Sequence, residues 1–100
     1  MKKLEEKSLL CGTSFHGVVI TSTREKLTEV FGFTPEGPSA DGKCQSEWNL
    51  ETPYGVFSVY DWKEYREFSD NENIEWHIGG KSSSSEERFK EEILEKINEI

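Results

Sequence analysis

Ile74-Glu75-Trp76-His77-Ile78-Gly79-Gly80-Lys81-Ser82-Ser83-Ser84-Ser85 is the stretch on which the fold turns. Ile74, Trp76 and Ile78 alternate with Glu75 and His77, the period-2 pattern of a half-buried strand. Gly79-Gly80 reads as the turn that stops the strand, and the serines lead through Glu86-Glu87-Arg88-Phe89 into an amphipathic helix. A strand, a Gly-Gly turn and a helix start make a cradle of backbone N–H groups. The first N–H groups of a helix lack intrahelical partners and sit at the positive end of its dipole, so such a cradle suits an anion. Lys81 adds a charge at the rim. The same residues also read as a plain capped connection, with Ser83–Glu86 or Ser84–Glu87 as a capping box. Gly80-Lys81-Ser82 does not end a Walker A loop, because Glu75 stands where that loop's first glycine belongs.

Working outward, Gly12-Thr13-Ser14-Phe15-His16-Gly17 precedes a β-branched run, Val18-Val19-Ile20-Thr21, that predicts a first strand. His16 reads either as a ligand-facing donor or as a surface imidazole at a strand start. Ser22-Thr23-Arg24-Glu25 is a capping box opening a helix with Leu27, Val30 and Phe31 on one side and Gly32 as C-cap. Thr34 to Lys43 is loop, with a turn at Asp41-Gly42. From Cys44 to Thr52 the positions Cys44, Ser46, Trp48 and Leu50 share a face. Pro53-Tyr54-Gly55 reverses the chain, and Val56 to Trp62 returns antiparallel, with Tyr60 and Trp62 on one face and Asp61 on the other. Lys63 to Asn73 is an irregular connection. Phe89, Ile93, Ile97 and Ile100 form the apolar stripe of the last helix.

The order β-α-β-β-β-α predicts an α+β domain, a small antiparallel sheet with helices packed on one face. Residues 1–8 read as a flexible segment and 9–100 as a single domain. The stripe of the last helix is long for so small a sheet, which also predicts a homodimer.

Composition sets limits on function. A hundred residues suit one domain, and twelve aromatic side chains compensate for a hydrophobic content of only 33%. A formal charge of -8 argues against general nucleic-acid binding and against binding to anionic membranes. Cys11 and Cys44 match no metal spacing. No apolar run reaches membrane-spanning length and Met1-Lys2-Lys3-Leu4 starts no signal peptide, so a soluble cytoplasmic protein is expected.

Gly12-Thr13-Ser14 with Gly17, Phe31-Gly32 with Pro35, Asp41-Gly42-Lys43, Glu47-Trp48, Tyr60-Asp61-Trp62-Lys63 and Trp76-His77-Ile78-Gly79-Gly80 form an ordered set across residues 10–80. That set resembles a large family of small domains encoded by tailed bacteriophages. The chain departs from the family pattern at Phe15-His16, where a smaller aliphatic and a glutamine are expected, and in its long final helix. The resemblance implies an anti-defence role in the infected bacterial cytoplasm. It points to a sponge of the anti-CBASS type, which binds a cyclic di- or trinucleotide alarm signal without cleaving it.

Such a ligand presents phosphodiester charges and flat bases, and each base stacked on an aromatic ring is worth about 1–3 kcal/mol. Gly79, Gly80, Lys81 and Ser82 are the candidates for phosphate, helped by Thr13, Ser14, His16 and Lys63. Tyr60, Trp62, Trp76, Trp48 and Phe15 are available for stacking on the bases, and His77 is a further candidate ligand contact. No catalytic set, metal cluster or cofactor motif is visible: His16 and His77 lack the H-x-T/S context of two-histidine phosphodiesterases, and no Ser/His/Asp motif stands out. The alternative is a protein that inhibits a host protein by direct binding.

Overall fold

A computed structural model of the chain describes residues 1–38, 45–62 and 67–100. In chain order the elements are β1 (Lys2–Lys3), a 3-10 turn (Lys7–Leu10), β2 (Ser14–Ser22), α1 (Arg24–Phe31), β3 (Glu47–Thr52), β4 (Gly55–Asp61), β5 (Ile74–Gly80) and α2 (Ser83–Glu99). The strands form one antiparallel sheet in the order β1-β3-β4-β5-β2. The predicted β-α-β-β-β-α order is therefore present as β2-α1-β3-β4-β5-α2, with β1 added at the edge. The expected turn at Asp41-Gly42, the strand start at Cys44 and Lys63 lie outside the described residues.

Period-2 alternation puts one set of side chains under the helices. Val18 and Ile20 on β2, Trp48 and Leu50 on β3, Phe57 and Val59 on β4, and Ile74, Trp76 and Ile78 on β5 meet Leu27 and Phe31 of α1 and Phe89 and Ile93 of α2 in one cluster. None of these side chains is more than 5% exposed. The rings interlock: Trp48 meets Trp76 edge-on at 5.1 Å between centroids, and Phe57 stacks on Phe89 at 4.3 Å. Buried indoles need partners for their N–H groups. Trp48 Nε1 donates to Phe33 O and Trp76 Nε1 to Ser22 O, each at 3.0 Å.

Both helices are capped, each starting slightly off the expected position. Thr23, not Ser22, is the N-cap of α1 and accepts from Lys26 N at 3.1 Å. Gly32, at φ +84°, closes that helix with its N–H on Thr28 O at 2.8 Å. Ser82 is the N-cap of α2 and accepts from Ser85 N at 3.3 Å, so neither expected capping box forms. Along the stripe of α2, Phe89 and Ile93 are fully buried and Ile97 packs on their margin, while Ile100 is 55% exposed and Leu94 beside the stripe 41%.

Residues 1–8, expected to be loose, are docked over their first half. Lys2 and Lys3 pair with Glu51 and Leu50, Leu4 N donates to Asn49 O at 2.9 Å, and the Leu4 side chain is 3% exposed. The irregular connection before β5 is pinned by Arg24, which donates to Asp70 Oδ1 at 2.6 Å and to Phe68 O at 3.0 Å.

The Gly-Gly pair is not a turn. β5 runs through both residues, with Gly79 opposite Phe15 and Ser58, and Gly80 opposite Ser14. Each glycine answers to a different face. A Cβ at Gly80 would lie 2.9 Å from both Glu86 Cγ and Phe57 Cδ1 beneath the helix. A Cβ at Gly79 would meet only ordinary contacts, the nearest being Ser14 O at 3.6 Å. Gly80→Ala is therefore expected to lower unfolding free energy by about 1–3 kcal/mol, the usual penalty of overpacking, and Gly79→Ala by less than about 0.5 kcal/mol. Urea denaturation of both variants checks the contrast; equal losses would remove the two-face account.

Candidate functional site

The face of the sheet turned away from the helices carries a group of rings. Phe15 on β2 stacks on His77 of β5, with centroids 4.0 Å apart and planes 12° from parallel. Tyr60 of β4 meets His77 edge-on at 5.6 Å. Trp62, just past β4, lies 6.3 Å from His77 with planes 26° apart and meets Tyr60 edge-on at 6.2 Å. Gly79 makes the floor of this arrangement: its missing side chain leaves the space beside Tyr60 Cε1 and in front of Phe15. Phe15 is 40% exposed and Trp62 43%, beside the half-buried Tyr60 and His77.

Trp62 is held in place by the residue before it. Asp61 points inward, fully buried, and its carboxylate accepts from Gln45 N at 2.9 Å and Ser46 N at 2.7 Å. A buried carboxylate held by backbone N–H groups fixes the end of β4. Alternation then turns Tyr60 and Trp62 outward together.

A second cluster sits on the helix side of β2. His16 Nδ1 is 2.5 Å from Glu86 Oε2, and His16 Nε2 is 3.2 Å from Ser14 Oγ. Glu86 is fully buried, in the first turn of α2, where a negative charge also favours the helix dipole. Its other oxygen, Oε1, has no hydrogen-bond partner among the described residues. The register of β2 against β5 slips between Phe15 and Val19: Phe15 faces Gly79 and Val19 faces His77, so β2 carries two more residues than its partner there. Gly17, at φ +93°, takes up the bulge, a backbone conformation that side chains disfavour.

The expected site residues thus divide. Tyr60, Trp62 and His77 come together on the open face, over Gly79. Ser14, His16 and Gly80 belong to the helix-side cluster. Trp76, expected to stack on a ligand, is fully buried in the core, as its place in the Ile74/Ile78 alternation requires. Thr13 donates its hydroxyl to Leu10 O at 2.7 Å and closes the 3-10 turn. Lys81 and Ser82 are exposed at the β5–α2 connection, where the Ser82 hydroxyl is occupied by Ser85, and Lys63 lies outside the described residues. Two further residues matter here. Phe15 reads from the sequence only as available for stacking. Glu86 carried a signal: it precedes Phe89 by three positions and Ile93 by seven, on the apolar stripe of α2.

Among the described residues no group of three His, Cys, Asp or Glu side chains is placed to hold a metal ion, and no helix is long and apolar enough to cross a membrane.

Burial under the neighbouring rings lowers the pKa of His77 from its ordinary value of 6.5, against the opposing charge of Glu75. The folded protein therefore resists protonating this imidazole, while the unfolded chain takes the proton as pH falls through about 6.5. The stability tied to neutral His77 is complete above that range and declines below it. Urea midpoints taken from about pH 7.5 down to about pH 5.5 should fall less steeply in His77→Gln than in the wild type; identical slopes would dissociate His77 from the effect.

Comparison with known proteins leaves the chain on its own residues: no family model matches it, and no curated protein or solved structure does.

Proposed function

We propose that the protein is a binding module that takes up a cyclic oligonucleotide immune signal on the open face of its sheet and releases it uncleaved, as an anti-defence sponge of the tailed-phage kind it resembles. The observation that supports this most is the pair of exposed ring faces, Phe15 and Trp62, on either side of His77. Nucleobases stack on such faces whatever their sequence, because every base has a π-surface. A sheet that offers rings from adjacent strands holds two bases at once without a deep pocket. The net charge of -8 favours a compact ligand with few charges over polymeric nucleic acid, which the surface repels.

The phosphate end of such a ligand needs donors as well as rings. Lys81, Ser82 and Lys63 remain the proposed donors, by charge and by hydroxyl. The partly exposed rings also fit the second reading, direct binding to a host protein, since exposed aromatic patches mark protein contacts as well.

Calorimetric titration with a panel of cyclic di- and trinucleotides, followed by denaturation and chromatography of the ligand, tests the reading. The expected result is tight binding of at least one member and its return intact. Phe15→Ala and Trp62→Ala should each weaken that binding by about 1–3 kcal/mol, roughly 5- to 150-fold in Kd. Linearised ligand would make the protein a phosphodiesterase. No binding across the panel, with a host protein captured through Trp62, would establish the second reading instead.

A further inference from the structure

We propose that Ser14, His16 and Glu86 form an acyl-transfer site in which Ser14 Oγ is an activated nucleophile toward small carboxylic esters. The site lies on the helix side of β2, away from the ring-bearing face, and stands independently of the binding reading given above.

The first support is geometry. His16 Nε2 is 3.2 Å from Ser14 Oγ, and His16 Nδ1 is 2.5 Å from Glu86 Oε2. Exposure follows the roles: Ser14 is open to solvent, the His16 side chain is 34% exposed, and the Glu86 side chain is sealed at 0%. A nucleophile within reach of a base, itself oriented by a buried carboxylate, is the arrangement that lets a serine act on an acyl group, and it is recognised by geometry rather than by chain order.

The second support is what the fold gives up to hold Glu86. A carboxylate taken out of water is destabilising unless it is paired and hydrogen-bonded. Here Oε1 has no partner among the described residues, and residue 80 must lack a side chain for Glu86 to fit. A leucine or isoleucine would anchor the first turn of α2 without those demands. The third support is the bulge. In an uninterrupted ladder, His16 would follow Phe15 opposite Ile78 and be committed to the core. The two extra residues of β2 release His16 from that pairing, beside Ser14, and bulges are frequent beside active sites.

The steps balance within these groups. With Nδ1–H donated to Glu86, Nε2 carries the lone pair that accepts the Ser14 hydroxyl proton. Ser14 Oγ adds to the ester carbonyl carbon as its proton passes to Nε2. Collapse of the tetrahedral adduct breaks the ester C–O bond, and the proton on Nε2 departs with the alkoxide as the free alcohol. Water repeats the sequence on acyl-Ser14, releasing the acid and restoring the hydroxyl. α2 begins three residues after Gly80, the ladder partner of Ser14, which brings the positive end of its dipole to the corner where the oxyanion forms. Ser14 and His16 are the catalytic residues, and Glu86 positions the imidazole.

The test uses the full chain with a fluorophosphonate and, separately, with p-nitrophenyl acetate. One phosphonyl adduct is expected, on the peptide containing Ser14, and it should disappear in Ser14→Ala, an exposed position where the fold is undisturbed. His16→Gln should slow labelling and ester hydrolysis by about 100-fold or more. Glu86→Gln should slow both and flatten their rise with pH while leaving the circular dichroism spectrum unchanged. Labelling of the wild type no faster than of His16→Gln would overturn the proposal. Adducts spread over Ser82 to Ser85, or p-nitrophenol release unaffected by Ser14→Ala, would do the same.

Discussion

At residue 80 the fold has room for no side chain at all. Phe57 and Glu86 both come to within 2.9 Å of where a Cβ would stand. That single point fixes how α2 approaches the sheet. Phe57 stacks on Phe89 one turn along the helix, and Phe89 in turn lies 6.2 Å from Phe31 of α1. Because β5 is hydrogen-bonded on both sides, by β4 and by β2, it cannot move away to relieve a clash. The approach of α2 is therefore transmitted to the whole layer, and with it the seat of Glu86 against His16.

The two faces of the sheet are made from the same alternation but meet different demands. Beneath the helices the rings are packed edge-to-face and stacked, with their N–H groups satisfied by backbone carbonyls. On the far face the rings are few, partly open, and set around an imidazole instead of an aliphatic floor. β2 joins the two, since Phe15 turns to the open side while Ser14 and His16 turn to the helix side. The bulge preserves that division, because an insertion of two residues leaves the in-out parity of Val18 to Ser22 intact.

Most of the helical layer is legible in the sequence, because its signals are local. The polar starts of both helices, each read one or two residues away from the true caps Thr23 and Ser82, the glycine at the end of α1 and the stripe through Phe89 and Ile93 all lie within a few residues of what they control. The hairpin of β3 and β4 is legible for the same reason. The Gly-Gly pair misleads because glycine commonly ends strands; only the partners across the sheet reveal that each glycine makes room for a neighbour. β1 is invisible in advance, since a two-residue edge strand of lysines has neither period nor apolar content. Trp76 is legible as core through its alternation with Ile74 and Ile78, and a stacking role for it conflicts with that alternation. The His16–Glu86 contact spans 70 positions of chain, and no local rule pairs residues so far apart.

The outer strands of the sheet have a further consequence, for what the chain avoids. An open sheet leaves a row of unpaired backbone groups at each border, a template for another chain's strand. Here one border is β1, only two residues long and made of lysines that would repel their own copies. The other is β2, nine residues long, but broken by a bulge that spoils the regular spacing another strand needs. A protein with exposed rings on its surface would otherwise be at risk of polymerising edge to edge as it accumulated. Both borders are thus blunted against edge-to-edge strand addition.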